Sequence, residues 1–393
     1  MSEWRQLLAR LASNAEERFD ELALRLRQRL SNANGDDSAQ ILPYLGYGTK
    51  SLLKLRGRVL EDYGVREPLD NDSTWRNLVN MYRRLNTRKI RDARIRLSIP
   101  TLPEVTAETQ TDEEGYFEFQ VPLSPALQPH GLWQEVALEL IDHPDPASTR
   151  TSSRVMIPPE NAQIGVISDL DDTVLQTDVP HLLKMARNTF LQNAHTRLPF
   201  AGVAEFYRAL QHGTGTQAIN PLFYVSNSIW NLYDLFIDFF ELRSIPIGAF
   251  LLLDLELSEA YFNNLRLGTH KTETIHDLLA LYPSLPFILI GDSGENDPNI
   301  YLKAALDFPG RVAAIYIRDV IGSAGDRSIE EMIRQASEVG TEMLLVADSL
   351  SAAEHAESRG YIKADSLPSV RRGMIQDNRP AQTDMLLDDQ EAG

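Results

Sequence analysis

Cysteine is absent from the 393 residues. No disulfide, thiolate nucleophile or cysteine-ligated metal centre is therefore available, and the count fits a reducing compartment. No run of about 18 apolar residues occurs either, so no segment reads as a bilayer-crossing helix. The opening stretch, Met1 to Asn14, is charged early and lacks a continuous apolar core, which argues against a secretory signal. Cations are scarce: 38 Lys and Arg face 56 Asp and Glu, a formal net charge of −18. Phosphate backbones demand basic patches, so the expectation is no nucleic-acid partner. An anionic small substrate stays open, because a bound cation can reverse the local field. What is present is ordinary for a folded chain, with 43% hydrophobic and 24% charged residues. The length suggests two or three domains.

Residues 1–35 read as an amphipathic helix and a polar link. Trp4, Leu7, Leu8, Leu11, Ala15, Phe19, Leu22, Leu26 and Leu30 recur at steps of three and four. This stripe suits packing on a domain, pairing in a coiled coil, or a membrane surface; Glu16, Glu17, Asp20 and Glu21 weaken the last. Residues 36–150 read as a β-sandwich, from short alternating strands around 53–60, 95–99, 116–121 and 136–141, with Trp75 to Leu85 as a helical excursion. Gly46 to Ser51 lacks the order of a phosphate loop and reads as a turn. Arg83, Arg84, Arg88, Lys89, Arg91, Arg94 and Arg96 form a basic cluster, either a solvated strand face or a contact for an acidic partner. His143 to Ser148 reads as the linker.

Residues 155–365 alternate strands and helices, which predicts a doubly wound parallel sheet. Strands are expected at 164–168, 222–226, 249–253, 287–291, 312–317 and 343–347. Helices are expected around 181–193, 202–211, 229–241, 270–281 and 297–307. Ser351 to Glu354 reads as a capping box, and Gly360 as the stop of its helix. Residues 366–393, polar and poor in large apolar groups, read as a disordered tail.

The chemistry gathers at Asp169-Leu170-Asp171-Asp172-Thr173, which follows the apolar run Ile164 to Ser168. Open α/β sheets bind ligands at the carboxyl ends of their strands. Asp169 there can attack phosphorus. Asp171 can protonate a leaving oxygen and then deprotonate a water. Three further elements follow in order: Phe223-Tyr224-Val225 ending at Ser226, His270-Lys271 opening a helical pattern, and Phe287 to Ile290 ending at Gly291-Asp292-Ser293-Gly294-Glu295-Asn296-Asp297.

This ordered set resembles the haloacid dehalogenase superfamily. The fold class it implies is α/β, a doubly wound parallel sheet with a minimal cap, preceded by the sandwich and the N-terminal helix. Ile167 to Thr173, Phe287 to Glu295, Ile315 to Arg318 and Ile245 to Gly248 are more specifically similar to the actin-patch-type phosphatidate phosphatase catalytic domain in its bacterial form. The resemblance implies a Mg²⁺-dependent phosphatase acting through an aspartyl-phosphate, with phosphatidate as substrate and diacylglycerol as product. Asp169 and Asp171 would be catalytic. Ser226, Lys271 and Thr173 would hold the phosphate. Asp169, Asp292 and the main-chain carbonyl of Asp171 would hold Mg²⁺, with Asp297 and Asn227 in support. Ser226-Asn227-Ser228-Ile229-Trp230 departs from the Ser-Ser-Pro-Trp of that pattern. A phosphatase for protein or soluble esters, and a membrane or cytoskeletal adaptor without turnover, are the alternatives. The expected location is cytoplasmic, with peripheral contact to a phospholipid surface; the oligomeric state stays open.

Overall fold

The computed structural model describes residues 39–61, 89–129, 131–142, 149–170, 202–217, 219–253, 267–319, 322 and 325–377. The expected helix at 3–30, the excursion at 75–85, the linker at 143–148 and the helix at 181–193 lie outside the described residues. The described residues form an α/β fold of two sheets, one mixed and one wholly parallel.

The mixed sheet contains β1 (Ala39–Pro43), β2 (Gly46–Thr49), β3 (Leu52–Glu61), β4 (Arg94–Ile99), β5 (Leu102–Gln110), β6 (Tyr116–Pro122), β7 (Trp133–Leu140) and β8 (Arg150–Met156). Its order is β1-β3-β2-β8-β7-β4-β5, with β6 paired to the other side of β3. Along β3 the residues alternate, with Leu53, Leu55 and Val59 buried in one apolar core beside Ile95, Leu97, Phe117 and Phe119. That period of two is what gives a strand one wet and one dry face. The turn before β6 is set by Asp112, whose Oδ1 accepts the Glu114 and Tyr116 N–H groups at 2.9 and 2.8 Å, with Gly115 at φ 79°.

Two expectations change in this sheet. Gly46–Thr49 is a strand, antiparallel to β3 and parallel to β8, and only the two residues after it turn. Gly46 and Gly48 are there because a Cβ would strike the Lys54 and Leu52 carbonyls at 2.5 and 2.2 Å. The sheet also runs past residue 150, because β8 pairs with both β7 and β2 through Met156. Arg150–Met156 thus belongs to the mixed sheet. In the basic cluster, Lys89 pairs with Glu114, and Arg94 and Arg96 each reach Glu108 at 2.9 Å, which agrees with the solvated strand face.

The parallel sheet has the order β11-β10-β9-β12-β13-β14. Its strands are β9 (Gly165–Asp169), β10 (Leu222–Ile229), β11 (Ala249–Leu253), β12 (Phe287–Asp292), β13 (Val312–Arg318) and β14 (Glu342–Val346). They form where continuous apolar runs were read, as expected of strands covered on both faces. The covering helices are α1 (Val203–His212), α2 (Tyr233–Leu242), α3 (Leu267–Leu281), α4 (Asp297–Asp307), α5 (Arg327–Glu338), α6 (Ser349–Ser358) and α7 (Leu367–Asp377). Residues from α1, α2 and α6 share one core with Val166, Tyr224 and Ile290, while those from α3, α4 and α5 share the other with Ile167, Phe223 and Leu289. Chain order reverses between β9 and β12, so a crevice opens at their carboxyl ends.

Two helix ends differ from the sequence reading. Asp348, not Ser351, caps α6: its Oδ1 accepts the Ser351 N–H and hydroxyl at 2.8 Å each. Both residue types suit a cap, and the earlier one lets Ser349 enter the first turn, fully buried. Gly360, at φ 73°, does end it. Residues 366–377 are not a disordered tail. Leu367, Val370 and Met374 recur at helical spacing, Val370 is fully buried, and Asp377 Oδ2 accepts the N–H of Gly202 at 2.7 Å, so α7 clamps the start of α1.

The two sheets are packed together. Tyr44 stacks on Trp230 with ring centroids 4.7 Å apart. The Leu45 N–H donates to the Tyr233 hydroxyl at 2.9 Å, and the Tyr282 hydroxyl donates to the Gly48 carbonyl at 3.0 Å. Leu132 and Met156 join the core of the parallel sheet beside Ile167 and Phe223. Among the described residues, no helix is long and apolar enough to cross a membrane.

Candidate active site

The reversal point of the parallel sheet is where the acidic residues collect. Asp169 is the last residue of β9, 6% exposed, and lies opposite Val225 in the ladder to β10. Ser226 is the next residue along β10. Asp292 closes the neighbouring strand β12, and Asp297 opens α4 directly after it. Lys271 enters from the second turn of α3 and is only 2% exposed.

The Lys271 ammonium is the centre of the cluster. Nζ lies 2.7 Å from Asp169 Oδ1, 2.7 Å from Asp297 Oδ1 and 3.1 Å from Glu295 Oε2. It donates hydrogen bonds to Asp297 and Glu295. Asp169 Oδ1 is buried and, despite its closeness to the ammonium, accepts no aligned hydrogen bond. One ammonium therefore faces three carboxylates.

The electrostatics follow from that count. Burial, then the Asp297 charge, pushes the Asp169 carboxyl well above the usual carboxylate range, and Lys271 only partly opposes this. Burial also raises Asp297, against the pull of Lys271. For Lys271 burial favours the neutral amine, but Asp169, Asp297 and Glu295 outweigh it and hold the ammonium charged.

The loop between β12 and α4 is shaped by its own backbone. Asp292 Oδ1 accepts the N–H groups of Gly294 and Glu295 at 2.8 and 3.1 Å. The Asp292 N–H donates to Asp297 Oδ2 at 3.2 Å. Gly291 is needed because a Cβ there would lie 2.2 Å from Asp297 Oδ2. Asp297 is fully buried and cannot step aside. Gly291→Ala should therefore lower stability by about 1–3 kcal/mol and depress catalysis with it. Thermal unfolding beside a turnover assay checks this; an unchanged melting point would show that the loop gives way freely.

The sequence-predicted residues separate into three groups. Asp169, Lys271 and Asp297 come together. Ser226 is fully buried, with its Oγ accepting the Ser228 N–H at 2.9 Å, and Asn227 is half-buried beside it. Asp171 and Thr173 lie outside the described residues. Glu295 was not foreseen. Its signal was an acid two positions before Asp297 in the same loop, on a turn that Asp292 folds back.

Asp169, Glu295 and Asp297 each present a carboxylate oxygen within 4.8 Å of the other two. An all-oxygen set suits a hard divalent cation, although the Lys271 ammonium stands among the same three carboxylates. This triad differs from the expected Asp169, Asp171 and Asp292. The Oδ1 of Asp292 is engaged by its own turn, while Glu295 and Asp297 face Asp169.

Residues 164–319 match the family model described as "Phosphatidate phosphatase APP1, catalytic domain". The Phosphatidate phosphatase APP1 of Saccharomyces cerevisiae is 32% identical over 187 residues, covering 47% of this chain and 30% of that protein. The Uncharacterized protein C29B5.04c of Schizosaccharomyces pombe is 30% identical over 167 residues, covering 40% of this chain and 25% of that one. The match thus takes in less than a third of the length of these curated relatives. A solved β-glucuronidase from Parabacteroides merdae is 11% identical, covers 75% of this chain and 39% of its own, and has a TM-score of 0.23, too low to bear on the fold.

Proposed function

We propose, on the premise that residues 164–319 belong to the phosphatidate phosphatase APP1 catalytic-domain family, that this chain is a phosphoric monoester hydrolase releasing phosphate from phosphatidate. The observation that carries the reading is the convergence of Asp169, Lys271 and the Glu295–Asp297 loop at the reversal point of the parallel sheet. We read the parallel sheet as a haloacid dehalogenase-like, doubly wound fold with a minimal cap, spanning about 155–365 and extended by α7. The mixed sheet is read as the sandwich-type accessory domain, and the chain as working at the cytoplasmic side of a phospholipid surface.

Asp169 bonds through a carboxylate oxygen to phosphorus as the bond from phosphorus to the lipid oxygen breaks. Asp171 gives its proton to that departing oxygen, releasing diacylglycerol. Asp171 then takes a proton from a water whose oxygen attacks phosphorus, and the bond between phosphorus and Asp169 breaks to release inorganic phosphate. Lys271 favours the carboxylate form of Asp169, against its burial, before attack and balances the phosphoryl oxygens afterwards. Ser226 and Thr173 donate to those oxygens, and Asn227 supports the Ser226 turn. Mg²⁺ would be held by Asp169 with Glu295 and Asp297, or with Asp292 and the Asp171 carbonyl, and would neutralise the anionic substrate.

The test is a substrate panel under metal control. Phosphate release from phosphatidate in detergent micelles should exceed release from p-nitrophenyl phosphate and glycerol phosphate by about tenfold or more, consistent with binding energy drawn from remote parts of the substrate. Chelation should abolish it and added Mg²⁺ restore it. Preference for the soluble esters would make this a general ester phosphatase. No release from any member, with micelle binding intact, would make it an adaptor.

A further inference from the structure

A cavity lies between the two sheets, lined in part by His270 and Thr274 of the lysine-bearing helix. Its volume is about 220 Å³. That is below the roughly 300–1,000 Å³ of drug- or cofactor-sized sites, and equals about seven waters' share of liquid volume. It suits a molecule of a few heavy atoms, or one limb of a larger one. Leu252 and Phe250 of β11 supply apolar wall, and Lys54 and Arg56 of β3, Trp230 and Thr274 supply polar groups.

Those polar groups are mainly donors. Trp230 is 8% exposed, yet its buried indole N–H makes no hydrogen bond. A buried donor left unmatched costs about 1–3 kcal/mol, so an acceptor placed there is favoured. Lys54 forms no ion pair among the described residues, and its ammonium stands 5.9 Å over the Tyr47 ring. The Arg56 guanidinium lies over the rings of Tyr116 and Trp230, at 4.8 and 5.2 Å. Glu118, opposite Arg56 in the β3–β6 ladder, is the one carboxylate in the lining. Lys54 is thus a cation of this lining that brings no ion pair of its own among the described residues, in a chain of net charge −18.

We propose that this cavity is a binding site for a small amphiphilic organic anion, a carboxylate or phosphate head on a short alkyl body. The head is received by Lys54 and the Trp230 N–H, and the alkyl part lies against Leu252 and Phe250. None of Asp169, Lys271, Glu295 and Asp297 lines it, and it does not depend on what that cluster hydrolyses.

Isothermal titration of the full chain without divalent metal tests this, using hexanoate and hexyl phosphate as probes, with hexanol and inorganic phosphate as controls. At least one probe should bind saturably in the wild type and in Asp169→Asn, within twofold of each other. Lys54→Met should weaken it about tenfold, the scale of a lost charged hydrogen bond. Trp230→Phe should weaken it less and remove a saturable change in indole fluorescence. The proposal fails if neither probe binds. It fails equally if hexanol or inorganic phosphate binds as well as the probes, or if binding ignores Lys54→Met. Binding lost in Asp169→Asn would place the anion at the other cluster, and would leave the hydrolase reading standing while removing this one.

Discussion

Asp169→Asn should leave a folded protein that releases phosphate at least ~10³-fold more slowly, the scale on which removal of a nucleophile is felt. An amide oxygen carries no charge to offer phosphorus, and nothing else on β9 occupies the same point at the strand end. The fold should not suffer. Burial and the Asp297 charge already disfavour the Asp169 carboxylate, so a neutral group of the same shape relieves repulsion while Lys271 keeps Asp297 and Glu295. The melting temperature should therefore stay level or rise. Phosphate release from phosphatidate micelles, read beside thermal unfolding, checks both halves. A variant retaining a tenth of the wild-type rate would remove Asp169 from the role of nucleophile.

Lys271→Met should do the opposite and damage the fold as well as the rate. It leaves Asp169, Asp297 and Glu295 facing one another without a cation, two of them buried. Breaking a buried ion pair by removing one partner costs about 3–5 kcal/mol. The pH dependence has a definite sign. Asp169 and Asp297 already have folded-state affinities for protons above the ordinary carboxyl value, and losing the ammonium raises them further. Stability from such groups is fully present below the unfolded carboxyl pKa and is lost as pH rises through the folded one. The deficit of Lys271→Met should accordingly narrow as the solution is acidified from neutral. Adding Asp297→Asn should recover part of it, because the two sites are in contact and their effects are not additive. Denaturant unfolding of the single and double variants at two pH values measures this. A Lys271→Met protein as stable as the wild type at neutral pH would mean that the ammonium is not what holds the acids together.

The parallel sheet was legible because burial on both faces writes itself as uninterrupted apolar runs, as in Phe287 to Ile290. β5 and β8 were not, since Leu102–Gln110 is largely exposed and Arg150–Met156 buries only Ser153, Val155 and Met156, so both depend on ladder hydrogen bonds, which leave little trace in composition. Helix α7 was missed for a related reason: Leu367, Val370 and Met374 make a single narrow stripe, diluted by the polar residues that follow. At the site, Asp169, Lys271 and Asp297 could be found because each stands at the end or start of a readable element. Glu295 could not, because its place depends on the turn that Asp292 and Gly291 impose.

The packing of Tyr44, Leu132 and Met156 against the parallel sheet has a practical corollary. Trimming the chain to the stretch matched by the catalytic family would strip those side chains from Trp230, Ile167 and Phe223, and would also discard β14, α6 and α7. Greasy surface would then be turned out to water, and such a fragment should clump when expressed. Workable cut points lie before β1 and beyond Asp377, so the smallest unit that keeps its solubility is close to twice the length that sequence kinship alone would suggest.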